Sequence, residues 1–223
     1  MAKYMIHACN QRMWYVDEYL IPSMLKQGIK RKNIFVYRDL SGNGNLKSCL
    51  DSFAMLENIK MEEDGVWHLQ DDVILCSDFK KRTEELDEGL VCGFCCDYDA
   101  NKEITGVTNM INMWYSFPCI RIPNRLAIEC ADWYYNGLSH PTEVKFFMRN
   151  GKNDDLIFRA FLERHYPSMS VTLVKPNLVN HIDYLIGGSI INAERRKGKI
   201  VTAEYWDEPE LIDDLAKQLK IDC

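Results

Sequence analysis

Two adjacent carboxylates, Asp71 and Asp72, follow Gln70 in the stretch "VWHLQDDVILCSDF" (66–79), with apolar residues on both sides. Acidic side chains are seldom kept inside such a run unless they are paired, hydrated or bound to a cation. A hard divalent cation such as Mg2+ or Mn2+ takes carboxylate oxygens and leaves positions open for phosphate. Bridging a diphosphate, it would neutralise the charge that develops on a leaving group. The structural alternative is a strand-terminating turn with two solvated acids.

Two further groups carry chemistry-capable residues. In "GKNDDLIF", Asp154 and Asp155 fall in the first turn of a predicted helix, where acids cap free N–H groups and oppose the helix dipole. The same position keeps a carboxylate ionised and able to accept an alcohol's proton as a general base. In "PNLVNHIDYLIGGS", His181 closes a predicted strand and can offer a nitrogen to a Mn-type site. The Gly187-Gly188-Ser189 loop that follows can point backbone N–H groups at phosphate. His7, His68, His140 and His165 show no metal-ligand spacing, and neither GxxxxGK[ST] nor GxSxG nor a full GxGxxG is present.

Elements able to position these groups are legible from periodicity. "YMIHAC" predicts a first strand. "MWYVDEYLIPSMLKQG" predicts a helix that Pro22 should kink or interrupt and Gly28 should end. "NIFVYRD" is a second strand, "NLKSCLDSFAMLENIK" a helix, and "GVWHLQDDV" a third strand. "SDFKKRTEELDEG" predicts a helix with Ser77 as N-cap, and "GLVCGFCCDY" a fourth strand. This strand–helix alternation predicts an α/β fold with a mostly parallel sheet. Asp39 then ends the second strand and Asp71 and Asp72 end the third, at the carboxyl edge where such sheets bind ligands. Further on, "ITGVTNMINMWYSFPCIRIP" reads as a hairpin or paired strands and "NRLAIECADWYYNG" as a helix. "SHPTEVKFFMRNGKN" reads as a loop, "DDLIFRAFLERH" as a short helix, "MSVTLVKPNLVNHI" as a strand that ends in a loop and "DEPELIDDLAKQLK" as a terminal helix with Leu211, Leu215 and Leu219 in a stripe.

Bulk properties bound the function. At 223 residues and 47% hydrophobic, the chain can bury a substantial core. A net charge of −6 excludes a globally basic nucleic-acid grip and leaves only local patches, "KQGIKRKN" and "NAERRKGKI". The 9 Cys are odd in number and scattered. With no signal-peptide pattern and no membrane-length apolar run, they predict free thiols in a reduced, cytoplasmic protein without a transmembrane segment. The cluster Cys92, Cys95 and Cys96 lacks a second zinc-spaced cluster and reads as buried strand thiols.

Taken in order, "HLQDDVILCSDF", "FPCIRIPNRLA", "KNDDLIFRAFL" and "PNLVNHIDYLIGGS" resemble the motif series of a small GT-A type glycosyltransferase. The resemblance runs from about Tyr4 to Ser189. It also extends to the compact glycosyltransferases encoded by bacteriophages, some of which decorate modified bases in phage DNA. It implies a single domain over 1–223, with a Rossmann-like GT-A sheet flanked by helices. About 1–100 would form the nucleotide-sugar-binding half and about 101–223 the acceptor half. It implies a nucleotide-sugar donor, a UDP-sugar, and Mn2+ or Mg2+ held by Asp72 and His181. Asp71 would contact ribose or donor sugar, Asp39 the base, Gly188 and Ser189 the diphosphate, and Asp155 or Asp154 would be the base. The acceptor is open, with DNA among the candidates, and the host cytoplasm is the implied location. Gln70 departs from the family pattern, which has a third acid there; as a neutral side chain it can still hydrogen-bond ribose hydroxyls. A nucleotidyltransferase and a non-catalytic nucleotide-sugar-binding module are the rival readings.

Overall fold

The computed structural model describes residues 2–42, 44–58, 65–86, 88–94, 105–109, 117–150, 153–187 and 206–219. Three β-branched or aromatic runs form the first strands: β1 (Tyr4–Cys9), β2 (Ile34–Asp39) and β3 (Gly65–Gln70). β1 pairs in parallel with both others, so that Cys9 lies opposite Asp39 and His7 opposite Gln70. The chain therefore crosses over β1 between β2 and β3, and the carboxyl ends of all three strands share one edge.

Between β1 and β2 a helical stretch runs through α1 (Met13–Tyr15), a π-helical turn (Val16–Leu20) and α2 (Ile21–Lys26). The expected break at Pro22 does not occur. Proline lacks an N–H to donate, and the wider π turn just before it absorbs the missing bond without ending the helix. Gly28 ends it at φ +83, a conformation that L side chains rarely adopt. α3 (Asn45–Met55) follows β2.

After β3 the chain turns at Asp71 and Asp72 into β4 (Val73–Leu75), so the third strand ends at Gln70 and not at Val73 as the pattern predicts. α4 (Phe79–Glu85) follows, and its N-cap is Asp78 rather than Ser77. The Ser77 hydroxyl instead donates to Glu208 at 2.7 Å. Later come β5 (Val91–Cys92), β6 (Gly106–Asn109), β7 (Cys119–Pro123), α5 (Asn124–Gly137) and α6 (Pro141–Asn150). α7 (Asp154–His165), β8 (Ser170–Leu173), β9 (Val179–His181) and α8 (Pro209–Gln218) complete the order.

The main sheet has the order β2-β1-β3-β7-β5-β8-β6, and β4 and β9 form a separate antiparallel pair. β7 runs antiparallel between β3 and β5, and β6 antiparallel to β8, so five of the seven strands point the same way. This is a mixed, mostly parallel, Rossmann-like α/β sheet. Two readings need correction. β6 and β7 are both strands but do not pair with each other, because β7 is taken up in the sheet centre. The segment read as a loop after α5 is the helix α6, with Pro141 in its first turn, where proline costs no hydrogen bond.

Alternate residues along the strands face opposite layers. Tyr4, Ile6, Ala8, Trp67 and Leu69 pack with α1, α2, α4 and α8. Met5, Val66, Ile120 and Ile122 pack with α3, α5 and α7. α8 docks through Ile212, Leu215 and Ala216, with Leu219 packed beside them. Of the cysteine cluster, Cys92 is buried as expected; Cys95 and Cys96 lie outside the described residues. No helix among the described residues is long and apolar enough to cross a membrane.

Candidate functional site

Asp71 and Asp72 occupy the turn between β3 and β4, and both are buried, at 5% and 6% exposure. Two buried carboxylates side by side demand a cation. Arg12, in the turn that leaves β1, meets that demand: its guanidinium donates to Asp71 Oδ1 at 2.9 Å and to Asp72 Oδ2. The Cys9 backbone N–H donates to Asp71 Oδ2 at 2.7 Å. Arg12 is itself buried, and although burial works against its charge, the two carboxylates raise its pKa above the usual guanidinium value. Sequence reading missed this residue. The available signal was a basic side chain just beyond the first strand, at the edge where the acids end the third.

His181 reaches the same carboxylate from the far side of the sequence. The β4–β9 register sets Val73 opposite His181, and the Ile182 N–H donates to the Asp72 carbonyl at 2.9 Å. This places His181 Nε2 3.0 Å from Asp72 Oδ2. Burial penalises the Asp72 charge, but His181 and Arg12 outweigh it and hold its carboxyl well below the usual range. Asp72 is thus ionised at neutral pH. Its second oxygen, Oδ1, is buried with no hydrogen-bond partner.

The base candidates stand at the N-terminus of α7. Asp154 Oδ1 accepts from Asn45 Nδ2 at 2.7 Å, and its Oδ2 accepts from Gln70 Nε2 at 3.3 Å. Gln70 therefore links β3 to α7, a use the sequence alone did not suggest. Burial, reinforced by the neighbouring Asp155 charge, pushes the Asp154 carboxyl up to about 7. Asp155 is raised by burial to about 6, and its Oδ1 accepts from the Leu156 N–H at 2.7 Å. Asp39 is buried at the end of β2, where its Oδ1 accepts from the Ser41 N–H at 3.2 Å. The structure thus brings Asp39, Gln70, Asp71, Asp72, Asp154 and His181 to the carboxyl edge of β1, β2 and β3 or to the turn beside it. Gly188 and Ser189 lie outside the described residues.

The ion-pair cluster has a direct stability consequence. Arg12→Met should destabilise the fold by about 3–5 kcal/mol, since it strands two buried carboxylates. Urea unfolding at pH 7 measures this.

No protein-family model and no curated protein matches the sequence. Among solved structures, the chain is similar to residues 1–349 of S. aureus TarS, at 13% identity and a TM-score of 0.51. The match covers 82% of this chain and 61% of that one, so the chain spans about three fifths of its neighbour's length. A second, HddC from Yersinia pseudotuberculosis, aligns at 8% identity over 58% of this chain and 80% of that one, with a TM-score of 0.30. At these identities the TarS likeness shows the fold alone.

Proposed function

We propose that the chain is a GT-A type glycosyltransferase that moves a sugar from a nucleotide-sugar donor, a UDP-sugar, to an acceptor hydroxyl. The observation that carries this reading is the convergence of Arg12, Asp71, Asp72 and His181 at the carboxyl edge, with Asp154 joined to it through Gln70. The fold's similarity to TarS, a glycosyltransferase, supports the same class.

In this reading Asp39 accepts from the nucleotide base, while Asp71 and Gln70 hold ribose or donor-sugar hydroxyls. The unpartnered Asp72 Oδ1 beside the His181 imidazole fits a divalent cation, with Asp72 and His181 as its protein ligands. Mn2+ or Mg2+ bound there would supply Lewis-acid stabilisation of the leaving diphosphate. Gly188 and Ser189 are assigned to the diphosphate itself. Asp154 takes the acceptor proton as the acceptor oxygen bonds to the anomeric carbon. The bond from that carbon to the diphosphate oxygen breaks, and the nucleoside diphosphate leaves with its electron pair. A base on the acceptor side implies direct displacement with inversion. Asp155 is the second candidate for the base; Asp154 ranks ahead because Gln70 joins it to the carboxyl edge. A hydroxymethylated pyrimidine in DNA, as in phage genomes, heads the acceptors to test in a cytoplasmic setting, ahead of glycan and lipid-linked hydroxyls.

The test is a donor screen with product analysis. Release of nucleoside diphosphate supports the proposal; release of pyrophosphate overturns it in favour of nucleotidyl transfer. UDP with Mn2+ at about 100 times its Kd should add about 2.7 kcal/mol of apparent stability in a thermal melt. No shift with any nucleotide, together with no turnover, would sink the donor assignment. Mass spectrometry of nucleosides from treated DNA decides the acceptor, and binding through Lys and Arg patches should weaken steeply with salt.

A further inference from the structure

His7 and His68 show no metal-ligand spacing along the chain, yet the sheet sets them side by side. β1 and β3 are neighbours in parallel register, with His7 opposite Gln70 and His68 opposite Met5. Both imidazoles therefore lie on the α3 face, their ring centroids 5.5 Å apart. α3 lays the Cys49 thiol over that face. One ligand atom from each of His7, Cys49 and His68 can be chosen so that all lie within 4.8 Å of one another, and all three residues are buried.

The hydrogen bonds fix the state of one ring. The Ser52 hydroxyl donates to the Cys49 carbonyl at 2.6 Å, so its oxygen is left to accept from His68 Nε2–H at 3.1 Å. His68 Nδ1 then carries a lone pair. It is fully buried and has no hydrogen-bond partner, and neither has His7 Nδ1. Two imidazole nitrogens without partners in a core of Phe53, Phe117 and Phe158 are costly unless something binds them. A ring whose Nε2–H is held by a hydroxyl while its Nδ1 lone pair has no partner has the arrangement of a metal-ligating histidine and its outer-shell partner.

We propose that His7, Cys49 and His68 form a buried binding site for one Zn2+ ion, separate from the carboxylate site at the sheet edge. Two imidazoles and one thiolate are a borderline-soft donor set that suits zinc and not Mg2+ or Ca2+. On binding, the thiol gives up its proton to solvent and its sulfur electron pair bonds the metal, with no change of oxidation state. Because the ligands come from β1, α3 and β3, the ion ties three elements of the N-terminal half together and binds as the chain folds. This inference does not depend on the glycosyltransferase reading.

The experiment is metal analysis of the full chain, purified without added chelator and after refolding with Zn2+. About one zinc per chain is expected. Asp72→Asn should retain it and Cys49→Ser should lose it. Cobalt loading should give a near-ultraviolet thiolate-to-cobalt absorption band, and a strong zinc chelator should lower the wild-type melting temperature. Absence of zinc after refolding overturns the proposal, as does zinc that survives Cys49→Ser but is lost in Asp72→Asn. If Cys49→Ser does not fold, the wild-type cobalt spectrum decides, and the lack of the thiolate band counts against the site.

Discussion

Asp72→Asn should reduce sugar transfer by at least about 10²–10³-fold while the chain remains folded, the range seen when a group that stabilises transition-state charge is removed. The amide keeps the side chain's shape but removes the charge that Arg12 and His181 share. It also replaces one of the two carboxylate oxygens, of which Oδ1 is the proposed cation ligand. The fold should survive because Asp71 still engages Arg12 and the Cys9 N–H. The expected stability loss is about 1–3 kcal/mol, that of a weakened buried network rather than an abandoned charge. Nucleoside diphosphate release and a circular-dichroism melt read the two effects separately. Wild-type turnover in a folded Asp72→Asn protein would remove Asp72 from the mechanism. The pH sense follows from its depressed pKa. The stabilisation by ionised Asp72 is fully present above its unfolded value of 3.8 and is lost as pH falls toward its lower folded value.

Asp154 should show the opposite linkage and an equally large functional effect. Its folded pKa is raised by burial to about 7, from an ordinary value of 3.8. Between those values the folded state binds more protons than the unfolded one, so stability falls as pH rises through the window. Above pH 7 the ionised carboxylate costs on the order of 4 kcal/mol. Asp154→Asn should therefore raise the melting temperature at pH 8 and leave it nearly unchanged at pH 4. Gln70 can turn its amide to present oxygen to the new Nδ2, while Asn45 keeps its acceptor.

Activity should move the other way. Loss of a general base costs about 10²–10⁴-fold. In the wild-type protein kcat/KM for the proposed transfer should fall about tenfold per pH unit below pH 7, and this limb should vanish in Asp154→Asn. Asp155→Asn should keep most of the activity, because the contact through Gln70 to the carboxyl edge is made by Asp154. If Asp155→Asn abolishes transfer and Asp154→Asn does not, the roles are reversed. A variant that is more stable at alkaline pH and nearly inactive would mark Asp154 as a strained functional group, since a purely structural acid would not trade stability for turnover.

Much was determined by the sequence alone. Local patterning is dictated by side chains a few residues apart, and it placed β1, β2, β3, α3, α5 and α7 close to where they stand. An apolar run that ends in acids at the carboxyl edge of a parallel strand was enough to select Asp39, Asp71 and Asp72. What the sequence could not carry is adjacency between elements distant along the chain. The insertion of β7 between β3 and β5 is a choice among pairings that all satisfy the same apolar pattern, and only packing both helical layers on one sheet decides it. The short pair β4 and β9 is too brief to declare itself by periodicity, yet its register alone carries His181 to Asp72. Arg12 was unremarkable until two buried carboxylates required a cation beside the end of β1. His7 and His68, 61 positions apart, became neighbours only because the chain crosses over β1 to lay down β3 beside it. Side-chain type fixes what a residue is able to do and local periodicity fixes which face it takes. Its partners are set by strand order and register, which depend on the whole core being filled at once.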